Sequence, residues 1–167
     1  MKKLILTSIA ILFAIGLMAQ PTGYHRVYHQ YRGEKGVVAI HVPGILLRIA
    51  GAFADLDQQE KRLLRCMRSV TVLTIEEEHL YPGVNFVQEM DVNRMTGDYQ
   101  LMMEVHDGDE EVIIAAREKR GKITDLIVVV GGSDNVLVHV RGRMETDLLE
   151  ELAGATGIEE LKLTAKI

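Results

Sequence analysis

From Tyr99 to Arg143 the chain reads as four short strands joined by three turns, and no other feature limits its fold so tightly. Apolar and polar residues alternate, and the breaks fall at Asp107-Gly108, Lys119-Arg120-Gly121 and Gly131-Gly132-Ser133-Asp134, clusters that suit tight hairpin turns. A two-residue turn at Asp107-Gly108 sets Met103 opposite Val112 and Leu101 opposite Ile114. A three-residue turn with a left-handed Gly121 sets Ile114 opposite Leu126 and Val112 opposite Val128. A third turn, Gly132 to Asp134, sets Val130 opposite Val136 and Val128 opposite Val138.

With these registers one face is almost wholly apolar: Leu101, Met103, Val105, Val112, Ile114, Leu126, Val128, Val130, Val136, Val138 and Val140. Side chains alternate with period two, so slipping a strand by one residue destroys the agreement. Amphipathic helices are expected to cover this face. The opposite face carries Gln100, Glu104, His106, Glu111, Arg117, Asp125, His139, Arg141 and Arg143 around a centre of Ile113, Ile127, Val129 and Leu137. It is expected to stay open. An apolar island of those four, ringed by Glu104, Glu111, Arg117, Asp125, His139 and Arg141, has the composition of a contact patch for a protein partner or a second copy. Asp125 and Arg141 fall directly across from each other, a pair worth about 0.5 kcal/mol if exposed. Acidic Asp107, Asp109, Glu110 and Asp134 gather at one end of the strands, and Lys119, Arg120, Lys122, Arg141 and Arg143 at the other.

Upstream, Tyr24 to Arg32 has a helical stripe of Tyr24, Val27, Tyr28 and Tyr31. Val37 to Val42 reads as a strand, and Pro43 suits the first turn of a helix through Ile45, Leu46, Ile49, Phe53 and Leu56. A second amphipathic stretch, Gln58 to Met67, leads into a strand at Val70 to Ile75, and Phe86, Val87, Met90 and Met95 suggest a further helix. The whole predicts an α+β fold: two layers, a mostly antiparallel sheet made of the four-stranded C-terminal meander plus N-terminal strands, packed by amphipathic helices.

The amino end has a different character. Lys2 and Lys3 precede a nearly unbroken apolar run from Leu4 to Met18, closed by Ala19, which is the pattern of a secretory signal peptide. The run is too short for a comfortable membrane span, which needs roughly twenty residues. Residues 1–19 are therefore expected to be removed, leaving 20–167 as a single exported domain of 148 residues, most simply periplasmic and without a membrane anchor. That product has 17 basic and 24 acidic side chains, a net charge of −7. Nucleic acid binding rests on phosphate neutralisation by Lys and Arg, so an acidic chain without it is not a nucleic-acid reader. Cys66 is the only cysteine, so the exported domain folds without an internal disulfide, and its setting at Leu63-Leu64-Arg65-Cys66-Met67 reads as a small buried hydrophobe.

Catalytic signatures are sparse. His25 and His29 stand four apart on one helix, but Arg26 occupies the place where a zinc protease motif carries its Glu. Glu-x-x-His occurs once, ending at His79, whereas helical di-iron sites need two copies. Asp107-Gly108-Asp109 lacks the rest of a calcium loop. Ser69 and Ser133 are the only serines after the leader, and neither lies in Gly-x-Ser-x-Gly. No catalytic residue, metal site or cofactor is assigned.

Three segments, Gly36-Val37-Val38-Ala39-Ile40-His41-Val42-Pro43 with Leu46-Leu47-Arg48, Val105 to Glu110, and Leu126 to Gly132, together resemble the small exported bacterial protein family catalogued as domain of unknown function 4252. Many of its members look like lipoproteins; this chain has no cysteine directly following the leader, where Gln20 stands, to carry a lipid. The resemblance implies a role in envelope physiology or regulation and brings no catalytic residues. The expected function is a non-enzymatic interaction or envelope-regulatory module. The alternatives are a histidine-dependent metal-binding protein or enzyme, which convergence of two or more of His25, His29, His41, His79, His106 and His139 would favour, and a small-ligand carrier.

Overall fold

The computed structural model describes residues 23–90 and 99–145, so the expected leader and the helix end near Met95 lie outside the described residues. The elements run α1 (Gly23–Tyr31), β1 (Val37–Pro43), α2 (Gly44–Phe53), α3 (Gln58–Cys66), β2 (Met67–Ile75), a 3-10 turn (Glu78–Leu80), α4 (Phe86–Met90), β3 (Tyr99–Asp107), β4 (Glu110–Glu118), β5 (Ile123–Gly131) and β6 (Val136–Met144). Six antiparallel strands form one sheet in the order β1-β2-β6-β5-β4-β3. The last strand thus inserts beside β2 and joins the two halves of the chain. The fold is α+β, as expected.

Local chemistry accounts for the element ends. Pro43 supplies an extended N-cap to α2 at φ −67° and ψ 149°. Asp57 and Glu60 form a reciprocal capping box at α3: the Glu60 N–H donates to Asp57 Oδ1 at 2.8 Å, and the Asp57 N–H to Glu60 Oε2 at 2.9 Å. The β5–β6 register is the expected one, with Val130 opposite Val136 and Asp125 opposite Arg141. The other two hairpins are each offset by two residues, giving Met103 opposite Ile114 and Val112 opposite Val130. The reason is the turns. The first closes on Asp107 and Glu110; the second closes on Lys119 and Lys122, with Arg120 and Gly121 both at positive φ, 57° and 70°, the signature of a two-residue type I′ turn. An even-numbered offset keeps a side chain on its face, but a bulge between Leu101 and Met103 pairs Leu101 with Ala115 and Tyr99 with Arg117 and so turns these two to the other face.

What the structure overturns is which face is covered. Ile113, Ile127, Val129 and Leu137, the expected exposed island, are 5, 1, 0 and 1% accessible. They lie in the main core with Leu73 and Ile75, beneath Tyr24, Val27 and Tyr31 of α1 and Phe86, Val87 and Met90 of α4. The physical reason is that α1 presents buried residues at i, i+3 and i+7 and is too short to stand alone, so its stripe needs an apolar partner. The other face is covered by α2 and α3 at one end, where Met67, Ala116, Ile123, Val140 and Met144 pack with Leu47, Leu63 and Leu64. Val72, Val128, Val130 and Val136 on that face are half-buried. Helices therefore sit on both faces of the sheet, where a single helical layer was expected.

Two asparagines fix α4. Asn85 caps it by accepting from the N–H groups of Val87 (2.9 Å) and Gln88 (3.1 Å), and the buried Asn135 accepts from the Phe86 N–H at 2.8 Å and donates to the Val84 carbonyl at 3.1 Å. Gly131 makes the approach possible: a Cβ there would fall 2.1 Å from Asn85 Oδ1. At the other end of α4, Tyr31 donates to Glu89 Oε1 at 2.6 Å and Arg26 donates to the Glu89 carbonyl, which clamps α1 beside it.

Candidate functional site

Along the face beneath α1, each strand changes from apolar to polar at about the same level. Leu73 is followed toward that end by Thr71 and Ser69, Leu137 by His139 and Arg141, Ile127 by Asp125, and Ala115 by Arg117. Register turns this into geometry. Ser69, Arg141, Asp125, Arg117 and Tyr99 are consecutive cross-strand partners, one rung spanning β2, β6, β5, β4 and β3. The next rung holds His41, Thr71 and His139. Directly opposed side chains stand about 5 Å apart on the same face, so the two rungs make a continuous polar floor.

Helix α1 forms the roof. Tyr24 and Tyr28, then His25, His29 and Arg32, repeat at helical spacing and face the floor across a cavity of about 430 Å³. The Tyr24 ring lies 4.2 Å from that of His139, and the rings of His25 and His29 are 6.1 Å apart. Four of the chain's six histidines, His25, His29, His41 and His139, line this one space.

Asp125 is its electrostatic centre. Its side chain is 5% exposed; Arg117 donates to Oδ2 from Nε at 3.0 Å and from Nη2 at 2.5 Å. The other oxygen receives His139 Nε2 at 3.3 Å and lies 3.7 Å from Arg141 Nε. Burial alone raises the carboxyl pKa, but hydrogen bonds from His139, Arg117 and Thr124, with the Arg117 charge, outweigh it and hold Asp125 well below the usual carboxylate range. Burial, and after it the charges of His139, His29 and Arg141, push His25 down. Tyr99 is pushed up to about 12 by burial and then by the negative charge of Asp125.

The connectivity does not suit nucleophilic catalysis. His41 Nδ1 contacts Thr71 Oγ1 at 2.8 Å, whereas the imidazole on the carboxylate is His139. Hydroxyl, imidazole and carboxylate are split between two pairs, so among the described residues of this cavity no base is both oriented by an acid and aimed at a hydroxyl. Among the described residues no group of three or more His, Cys, Asp and Glu is placed to hold a metal ion.

Of the ten residues expected as a contact face, Arg117, Asp125, His139 and Arg141 converge here, and Ile113, Ile127, Val129 and Leu137 belong to the core. Glu104 and Glu111 stand apart, each 3.7 Å from His106 Nε2 on β3 and β4. Tyr24, Ser69, Thr71 and Tyr99 were not anticipated, and His41 was named only among the six histidines of the metal-binding or enzymatic alternative. The cross-strand pairs that carry three of them involve β1 and β2, whose docking beside the meander no hairpin turn announces. Residues 31–152 match the family described as Domain of unknown function (DUF4252), and the chain belongs to that family. Neither a curated protein nor a solved structure matches the chain.

Proposed function

We propose that this member of the DUF4252 family is an exported, non-enzymatic binding module of the bacterial envelope that receives an anionic group, from a small ligand or an acidic side chain of a partner, in the cavity under α1. One observation carries the reading. The cavity is lined by Arg32, Arg117 and Arg141 with four histidines and a single carboxylate, Asp125, which already faces Arg117, His139 and Arg141. In a chain of net charge −5 such a concavity focuses positive potential on whatever enters it. Hydroxyls of Ser69 and Thr71 and the rings of Tyr28 and Tyr99 add donors and apolar walls.

Calorimetric titration with phosphate, sulfate and short carboxylates tests this. Saturable binding that weakens with salt and is lost in Arg141→Gln supports it; no binding to any of these anions rejects it. A second reading, a histidine-dependent metal protein, is favoured by the convergence of the four imidazoles. Titration with zinc separates the two, since a metal site requires stoichiometric uptake that His25→Ala and His29→Ala abolish.

A further inference from the structure

The cavity under α1 does not end at Arg141. A second concavity of about 480 Å³ opens at the tip of the sheet and shares Arg117, Asp125 and Arg141 with the first. Beyond the shared residues it adds four cations, Arg68, Lys119, Arg120 and Arg143, against one further carboxylate, Glu118. Along β6, Arg141 and Arg143 are both exposed and alternate with buried Val140, Gly142 and Met144. They project from the same side, two residues and about 7 Å apart.

Arg120 is the second observation. It occupies the first central position of the type I′ turn at φ 57°, a left-handed conformation in which it is the only non-glycine residue among the described residues. Glycine, asparagine and aspartate are the residues that suit this position. A long cation there is strained, and such strain is characteristic of sites held for function. The turn carries that cation, with Lys119, to the rim of the second concavity.

We infer that the two concavities are one trough and that its ligand is an elongated oligo-anion with at least two phosphate, sulfate or carboxylate groups, one seated under α1 near Arg141 and the next against Arg143, Arg68 and the 119–120 turn. The inference rests on the anion-binding reading above and specifies the ligand's shape. A single phosphate satisfies only one end. A linear oligo-anion reaches both, and each further ion pair formed adds to affinity in a salt-dependent way.

The test compares tripolyphosphate, citrate and inorganic phosphate by calorimetry on the leaderless protein. Tripolyphosphate is expected to bind at least about ten-fold more tightly than phosphate, and the citrate arm tells phosphate chemistry from multiple carboxylates. In Arg68→Gln/Arg143→Gln that advantage disappears while phosphate affinity is kept. Arg120→Gly is the safeguard, because it removes a cation where glycine adopts the backbone without strain and folding is not impaired. It should lower tripolyphosphate affinity and leave phosphate unchanged. Equal affinities for tripolyphosphate and phosphate, or variants that leave the ratio unaltered, overturn the trough while sparing the pocket. Failure of all three anions to bind rejects both readings together.

Discussion

Arg117 on β4 and Asp125 on β5 are register partners whose side chains meet through two hydrogen bonds on one carboxylate oxygen, with the other oxygen left to His139. The pair closes the floor of the cavity. Asp125→Asn leaves Arg117 and the buried His139 facing a neutral amide. It is expected to cost about 2 kcal/mol at neutral pH, below the full penalty of a broken buried pair because Arg117 is 38% exposed. The depressed carboxyl also fixes a pH dependence. Below its ordinary value of 3.8 the unfolded chain takes up the proton first. The contribution is therefore complete above about pH 4 and is lost as the pH falls further. Urea unfolding at neutral and acid pH should show the wild type and Asp125→Asn converging in acid; a constant gap between them contradicts the assignment.

Ile127 and Val128 are neighbours on opposite faces. Ile127 is 1% exposed beneath α1 and α4, and Val128 is half-buried on the face that α2 and α3 cover only at one end. Ile127→Lys is expected to unfold the domain, since an unpaired charge in that core has no counter-ion. Val128→Lys should lower the melting temperature much less. Thermal melts of the two variants decide the order, and equal losses would mean that the second face is as closed as the first.

Tyr99 closes the rung at the edge strand, with the Arg117 guanidinium 5.2 Å from its ring centre. Its phenol is pushed up to about 12 from an ordinary 10.0, so in alkali the unfolded chain ionises first. The stabilisation is complete below pH 10 and is lost as the pH rises toward about 12. Tyr99→Phe should flatten the alkaline fall in stability, and a phenolate absorbance titration should lose a component titrating near 12.

Asn135 satisfies the buried Phe86 N–H and holds the start of α4. Asn135→Ala strands that donor and is expected to cost about 2 kcal/mol. Hydrogen exchange should then accelerate at the Phe86 amide and along α4, which separates a local loss of anchoring from general weakening.

Side-chain alternation made the meander, most of its faces and the Asp125–Arg141 pairing legible, because period two survives two-residue offsets; the bulge after Leu101, which carries Tyr99 into the cavity, has no such signal. The helices were legible from apolar spacing and from Pro43. Which helix covers which face was not. Ile113, Ile127, Val129 and Leu137 and the stripe Tyr24, Val27 and Tyr31 are both visible in the sequence, yet nothing local says that they meet across more than eighty residues. The same distance hides the site. His41, Thr71 and His139 become neighbours only because β6 inserts beside β2, a pairing with no turn to signal it. The isolated electrostatic hints acquire meaning once that insertion sets Arg117, Arg141, His41 and His139 on adjoining rungs beneath His25 and His29 of α1.

The contact between Tyr24 and His139 joins the first described helix to the last described strand. Such a closure carries the entropic cost of a high sequence separation, and a chain truncated before β6 has no floor and hence no cavity. Anything seated between α1 and the floor recognises only the finished molecule. Its binding raises the free energy of every route, local or global, that separates α1 from β6. Occupancy of the cavity is thereby a readout of α1 docked over the finished sheet.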